Sequence, residues 1–285
     1  MKKGQIYEGI IERVDFPNKG IVFVAEEEQY VTVKNGIPGQ KIRFMINKFK
    51  RGNAEGRLLE VLEKSPLETR EPVCSIFPAC GGCMYQTMPY EEQVKMKEGQ
   101  IRRIMDPVVK GEYVFEGVKH SPKEFYYRNK MEFSFGDEVK DGPLTLGLHK
   151  KGSMHDILDA DCCKIVHDDF TKVLCCVRDY CKEKQIPHYN KNRHEGILRH
   201  LLVRRSSSTK ELLVALVVSS QKEYDWSELC VQLQNLPLEG KLIGFLLITN
   251  DSLGDVVKSD KTEILFGTDS FTEEILGLHF KISPF

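Results

Sequence analysis

The sequence has no excess of either charge: Lys and Arg total 41 against 42 Asp and Glu, for a formal net charge of -1 over 285 residues. That excludes a chain held to nucleic acid by overall charge, so any basic surface must be local. Long apolar runs are also missing. The longest, Leu212–Val218 and Leu242–Ile248, fall far short of the roughly 20 residues a helix needs to cross a bilayer. Residues 1–10 lack the apolar centre of a signal peptide. The expected location is therefore the cytoplasm, with no membrane partner. There is no internal repeat, no low-complexity stretch and no G-x-G-x-x-G turn of the kind that holds a dinucleotide.

What the chain does have is cysteine, 9 residues in all. In a reducing compartment these stay mostly as thiols, so a spaced group points to a metal site or to catalysis. The length allows two domains, and the patterning supports two. Residues 1–64 contain five short strand-like runs: Gln5–Val14, Ile21–Ala25, Tyr30–Val33, Lys41–Lys50 and Arg57–Leu62. Turn signals at 17–20, 35–36, 38–39 and 52–53 separate them. Five short strands suit an OB-type barrel. Residues 65–118 read as a linker with Pro66 and Pro72, a cysteine loop, and a helix from Tyr90 to Met105. Val94, Ile101, Ile104 and Met105 form its apolar stripe, and Pro107 ends it.

Residues 119–285 mix the two periodicities. Strands are expected at Lys130–Phe135, Thr145–Leu148, Gly196–Arg204, Glu211–Ser219 and Leu242–Asn250, and helices at Asp168–Lys184 and Asp225–Leu233. Ser206–Thr209 joins two of the strands as a hairpin. The fold class is α+β: a five-stranded barrel, then a mixed α/β central domain carrying the cysteine loop.

The sharpest local signal is Cys74-Ser-Ile-Phe-Pro-Ala-Cys80-Gly-Gly-Cys83, with spacing C-x5-C-x2-C. Gly81 and Gly82 are expected to let the backbone bend so that Cys80 and Cys83 share a side. Iron–sulfur clusters usually take four thiolates, and the candidates for the fourth are the adjacent Cys162 and Cys163. Cys175, Cys176, Cys181 and Cys230 sit among apolar neighbours on helical segments and read as buried free thiols. Zinc is the rival metal, although structural zinc sites generally use two C-x2-C knuckles and only one occurs here. The C-x3-C-x2-C spacing of radical S-adenosylmethionine enzymes is absent.

At this motif, with Met84-Tyr85-Gln86 following it, the sequence resembles the RNA (uracil-5-)-methyltransferases. Cys163-Lys164-Ile165-Val166-His167 is similar to the family's fourth-ligand segment, so the resemblance makes Cys74, Cys80, Cys83 and Cys163 the ligands of a 4Fe–4S cluster. Gly36-Ile37-Pro38-Gly39-Gln40 before a basic strand is similar to the family's TRAM domain, an RNA-binding OB fold. The blocks 127–133, 146–149 and 196–201 are similar to parts of its central domain, and 264–267 with 280–285 to the segment leading onward. The resemblance covers the whole chain. It implies an enzyme in which a cysteine thiolate adds to C6 of uracil, C5 attacks the methyl group of S-adenosylmethionine, and a base removes the C5 proton. The Phe-Gln-x-Asn block, Asp-Pro-Pro motif, nucleophilic cysteine, general-base glutamate and cofactor domain of that scheme lie outside these residues. Residues 1–285 are therefore expected to be an RNA-recognition portion that is inactive by itself, monomeric, and directed at 23S ribosomal RNA. A stand-alone RNA-binding iron–sulfur protein is the alternative.

Two local concentrations of positive charge supply the expected RNA contacts. Lys41, Arg43, Lys48, Lys50, Arg51 and Arg57 stand against Glu55 in the barrel segment, and OB barrels track a backbone with basic grooves. Lys191, Arg193, Arg199, Arg204, Arg205 and Lys210 stand against Glu195 further on, with His200 among them. Arg128 and Lys130 alternate along a strand and share a face. The RNA-binding set is thus Lys41, Arg43, Lys48, Lys50, Arg51, Arg128, Lys130, Arg199, His200 and Arg204.

Overall fold

The computed structural model describes residues 1–254 and 259–285. The chain divides into two compact units, Met1–Val73 with Cys83–Pro122, and Cys74–Gly82 with Lys123–Phe285.

The first unit is built on five strands: β1 (Ile6–Asp15), β2 (Lys19–Val24), β3 (Gln29–Lys34), β4 (Lys41–Lys50) and β5 (Asn53–Glu63). They close into a barrel in the order β1-β2-β3-β5-β4. Alternation decides what lies inside. Ile11, Val22, Val24, Val31, Val33, Ile42, Phe44 and Ile46 form a buried core, each such side chain contributing roughly 1.5–3 kcal/mol by leaving water. Gly56 is needed where the wall crowds: a Cβ there would lie 2.7 Å from the Phe44 ring and 3.1 Å from Val33.

Helix α1 (Tyr90–Met105) completes this unit and has the expected bounds. Gln100 Nε2 donates to the Val14 carbonyl at 3.0 Å, Arg103 Nε donates to Asp15 at 2.8 Å, and Met96 packs on the barrel core. Of the expected stripe only Val94 is buried; Ile101, Ile104 and Met105 are 40%, 50% and 39% exposed.

The second unit is a seven-stranded sheet. In sequence its strands are β6 (Lys130–Asp137), β7 (Leu144–His149), β8 (Ile157–Asp159), β9 (Leu198–Arg205), β10 (Glu211–Val218), β11 (Lys241–Thr249) and β12 (Lys261–Gly267), and in space they run β12-β11-β10-β9-β6-β7-β8. Only β10 and β11 are parallel; their crossover holds helix α3 (Ser227–Gln234), as a parallel pair requires. Helix α2 (Asp168–Glu183) packs against α3 and β7. A hairpin, β13 (Phe271–Ile275) with β14 (Leu278–Ile282), covers the sheet, placing Phe271 and Ile282 with Leu202, Leu213, Ala215 and Val217. The alternate residues Leu212, Val214 and Leu216 are buried on the opposite face. Covered on both sides, β10 reads as a nearly continuous apolar run.

Two buried carboxylates tie the pieces together. Asp169 accepts from the Glu239 and Gly240 amides at 2.8 and 3.0 Å and from Arg205 Nε at 3.3 Å, joining the start of α2 to the entry of β11. Glu273 accepts from the Ser207 and Ser208 amides and the Ser208 hydroxyl, docking the hairpin on the β9–β10 turn. Burial pushes the Glu273 carboxyl up, but those donors outweigh it and hold the group below its usual range.

Candidate functional site

The cysteine loop is pinned to the end of β7. The Gly81 amide donates to the His149 carbonyl at 3.0 Å, and the Lys151 amide donates to the Ala79 carbonyl at 2.7 Å. Cys80 and Lys150 form an isolated antiparallel bridge between these two bonds. Neither Gly81 nor Gly82 adopts a positive φ; what the structure shows at both is a packing requirement. A Cβ on Gly81 would sit 3.1 Å from the His149 carbonyl, and one on Gly82 would sit 3.2 Å from Leu148. The Gly82 amide also donates to the Cys80 sulfur at 3.3 Å.

The second group of thiols lies on the turn that follows β8, the neighbour of β7. Both loops lie at the β7–β8 edge of the sheet. Cys74 and Cys163 are buried, and the Cys74 and Cys162 sulfurs lie 3.8 Å apart. Burial, with Cys162 and Cys163 nearby, pushes the Cys74 thiol up to about 11. Cys83 follows Gly82 directly and is half-buried. Among the described residues no group of three or more His, Cys, Asp or Glu gathers as a metal site. In chemistry the thiols of the two loops are soft donors of the kind iron–sulfur clusters take, and the Cys80 sulfur receives a backbone N–H. Of the remaining cysteines, expected as buried free thiols, Cys181 is buried and Cys175, Cys176 and Cys230 are half-buried. Burial pushes Cys176 up to about 11 and Cys181 up to about 12, the signature of inert packing thiols.

The expected basic patch on the barrel is largely neutralised. Lys41 pairs with Glu63 at 3.0 Å, Arg43 with Glu8 and Glu60 at 2.8 Å each, and Lys48 with Glu55 at 3.0 Å. These acids sit on neighbouring strands, and all but Glu55 fall outside the sequence window that looked basic. Lys50 and Arg51, at the β4–β5 turn, are exposed and have no carboxylate partner among the described residues.

In the second unit the structure separates residues that the sequence had grouped. Arg199 and His200 are corrected from RNA contacts to core groups, 4% and 3% exposed. They point to opposite faces of β9, as alternation requires, but both faces are covered. The Arg199 guanidinium donates to the carbonyls of Asn250, Ser252 and Gly254 at 2.8–2.9 Å and lies 4.3 Å over the Tyr189 ring. His200 Nδ1 is 3.3 Å from the Ser134 hydroxyl and 3.8 Å from Glu132. Arg205 and Lys210 are bound to Asp169 and Glu239.

Arg128, Lys130 and Arg204 do come together. Lys130 is directly opposite Arg204 in the β6–β9 register, and the exposed Arg128 donates through Nε to the Lys130 carbonyl. Arg204 donates to the Pro284 carbonyl at 3.1 Å, and its burial lowers the guanidinium from its usual range. Patterning did not reveal a cleft of about 590 Å³ on this unit, lined by Phe135, Asp137, His188, Tyr189, Asn190 and Arg193 among others. Its residues come from three separated segments with no common spacing.

A closed five-stranded barrel preceding a mixed sheet with a cysteine loop at one edge defines the class to which the chain belongs structurally. No protein-family model matches the chain. It is similar over 100% of its length to an uncharacterized RNA methyltransferase of Clostridium tetani, at 43% identity, and to one of Caldanaerobacter subterraneus subsp. tengcongensis, at 40%. The chain spans 62% of the length of each of these relatives. Among solved structures, the tRNA (uracil-54, C5)-methyltransferase of Pyrococcus abyssi, in complex with S-adenosyl-L-homocysteine, matches 98% of this chain and 60% of that one with a TM-score of 0.67. At 19% identity that likeness is one of fold. Among the described residues no helix is long and apolar enough to cross a membrane.

Proposed function

We propose that this chain is the RNA-handling portion of an S-adenosylmethionine-dependent methyltransferase acting on C5 of a uridine in 23S ribosomal RNA. The observation that carries this reading is the similarity along the entire chain to proteins named RNA methyltransferases. The fold likeness to a uracil-C5 enzyme supports the choice of base and atom. Ribosomal RNA is chosen over transfer RNA on the sequence resemblance. S-adenosylmethionine supplies the methyl group; no residue among 1–285 is assigned to it, and the methyl-transfer step is not attributed to these residues. In the same reading Cys74, Cys80, Cys83 and Cys163 hold a 4Fe–4S cluster that braces the loop at the sheet edge.

The residues assigned to RNA are Arg128, Lys130 and the half-buried Arg204 in the sheet unit, with the exposed Lys50 and Arg51 on the barrel. Removing one phosphate-binding side chain should reduce the salt dependence of binding by about 0.7–0.9 in slope. Fluorescence anisotropy on a 23S fragment across a salt series is expected to show this for Arg128→Ala and for Lys130→Ala. Slopes equal to wild type in both variants would remove them from the interface.

A further inference from the structure

The two cysteine loops bring one pair of thiols within reach of each other. Cys74 opens the first loop and Cys162 lies on the turn after β8, 88 positions further along the chain, yet their sulfurs are 3.8 Å apart. Both belong to the same compact unit. Their surroundings differ. Cys74 is 8% exposed, whereas Cys162 is half-buried. Cys163, to which the resemblance gives a ligand role, is buried at 6%. The thiol left without a ligand role is thus the more accessible of the three.

Both thiols sit on backbone that is held locally. The Phe77 amide donates to the Cys74 carbonyl at 3.1 Å, and the Cys80 amide donates to the Ile76 carbonyl at 2.9 Å. On the second loop the Ala160 amide donates to the Leu146 carbonyl at 3.2 Å, and the Cys163 amide donates to the Ala160 carbonyl at 3.1 Å. Arg178 on α2 clamps the same turn, donating to Asp159 at 2.7 Å and to Asp161 at 3.2 Å. Asp161 immediately precedes Cys162. With the backbone fixed on both sides, the distance between the sulfurs is a matter of side-chain rotation. A disulfide needs sulfurs about 2.05 Å apart, so about 1.8 Å has to be closed, shared between two side chains.

We propose that Cys74 and Cys162 form a disulfide in the metal-free chain, by exchange with a low-molecular-weight disulfide of the glutathione type. The accessible Cys162 sulfur attacks one sulfur of the small disulfide, forming a mixed disulfide and releasing one thiol. The Cys74 sulfur then attacks Cys162 and displaces the second thiol. Two protein thiols are oxidised, one small disulfide is reduced to two thiols, and the two protein protons go to the departing sulfurs. The bond consumes Cys74, so it and a cluster held by Cys74 exclude each other. A chain without its metal thereby keeps the two loops joined and these two sulfurs out of irreversible oxidation, and a thiol reductant reopens the site. That consequence rests on the cluster assignment, whereas the bond itself rests on the distance and the exposures.

The test uses the full 285-residue chain, purified anaerobically, stripped of metal with a chelator, reduced, and then incubated with excess oxidised glutathione. Intact mass spectrometry should show the loss of two hydrogens with no glutathione retained, and fragment spectra should place the bond between Cys74 and Cys162. Cys74→Ser should instead keep one glutathione on Cys162, because the displacing thiol is gone. Cys162→Ser should leave Cys74 unbonded, and Cys163→Ser should form the bond as wild type does. Dithiothreitol should return both thiols, and chain loaded beforehand with ferrous iron and sulfide should form no bond. The wild-type readings need no variant, so a variant that fails to fold does not decide the outcome. An unbonded Cys74 in the metal-free wild type, or a bond from Cys74 to Cys163, overturns the proposal. A chain that forms the Cys74–Cys162 bond but takes up no iron upholds it and removes the cluster assignment instead.

Discussion

Replacing Arg199 with Leu should lower stability by about 3 kcal/mol or more, measured as a shift in the denaturant midpoint of the second unit. The side chain donates to three carbonyls, those of Asn250, Ser252 and Gly254. Leucine fills part of the volume but removes all three bonds, and the carbonyl of the buried Asn250 loses its charge-assisted bond where water does not replace it. It also removes the guanidinium from over Tyr189, a contact worth roughly 0.5–2 kcal/mol in its own right. Arg199→Lys should recover only part of the stability, because one ammonium cannot reach three acceptors in a fork. The salt slope of RNA binding should not change while the variant is folded. A cost below about 0.5 kcal/mol, the range of ordinary surface positions, with a reduced salt slope would return Arg199 to the RNA interface.

The second large effect is loss of iron from cysteine variants. Anaerobic reconstitution with ferrous iron and sulfide is expected to load about four irons and as many acid-labile sulfides per chain. Cys74→Ala, Cys80→Ala and Cys83→Ala should each abolish stoichiometric loading. Cys175→Ala and Cys230→Ala should load normally, because those thiols are on helices α2 and α3 and outside both cysteine-bearing loops. The pair at 162–163 is the informative one. Resemblance selects Cys163, whereas the sulfur that lies 3.8 Å from Cys74 is that of Cys162. Loss in Cys163→Ala with retention in Cys162→Ala is the expected result. Zinc without sulfide in every preparation would contradict the cluster assignment altogether.

Much of the fold is legible because local signals and tertiary packing agree. Lys41–Lys50 and Tyr90–Met105 have the same bounds in sequence and structure, since turn residues and Pro107 mark their ends and periodicity marks their interiors. The strands missed are those with weak local signals. Ile157–Asp159 is three residues long, too short for alternation to show. The β13–β14 hairpin turns on Leu276 and Gly277, both at positive φ, the backbone of a type I′ turn. That turn usually announces itself as Asn-Gly, and an exposed leucine in its first position hides it.

The candidate site was legible in its chemistry and less so in its surface. Cys74, Cys80 and Cys83 are singled out by spacing on one loop, whereas Cys163 is singled out by resemblance alone. Charges are different, since their partners come from across the sheet. Glu8, Glu60 and Glu63 neutralise Lys41 and Arg43 from adjacent strands, and no linear window contains that pairing. Arg199 and Arg204 look alike in sequence. Alternation puts them on opposite faces of β9, and only the cover on each face distinguishes the buried Arg199 from the half-buried Arg204.

The central claim is tested most directly by mapping 5-methyluridine, by nuclease digestion and mass spectrometry, in the 23S ribosomal and transfer RNA of cells lacking the reading frame that encodes this chain. The account predicts that one 5-methyluridine disappears from 23S RNA, that transfer RNA is unchanged, and that restoring the frame restores the mark. Full 5-methyluridine in both RNAs, in cells with no second copy of the gene, would contradict it.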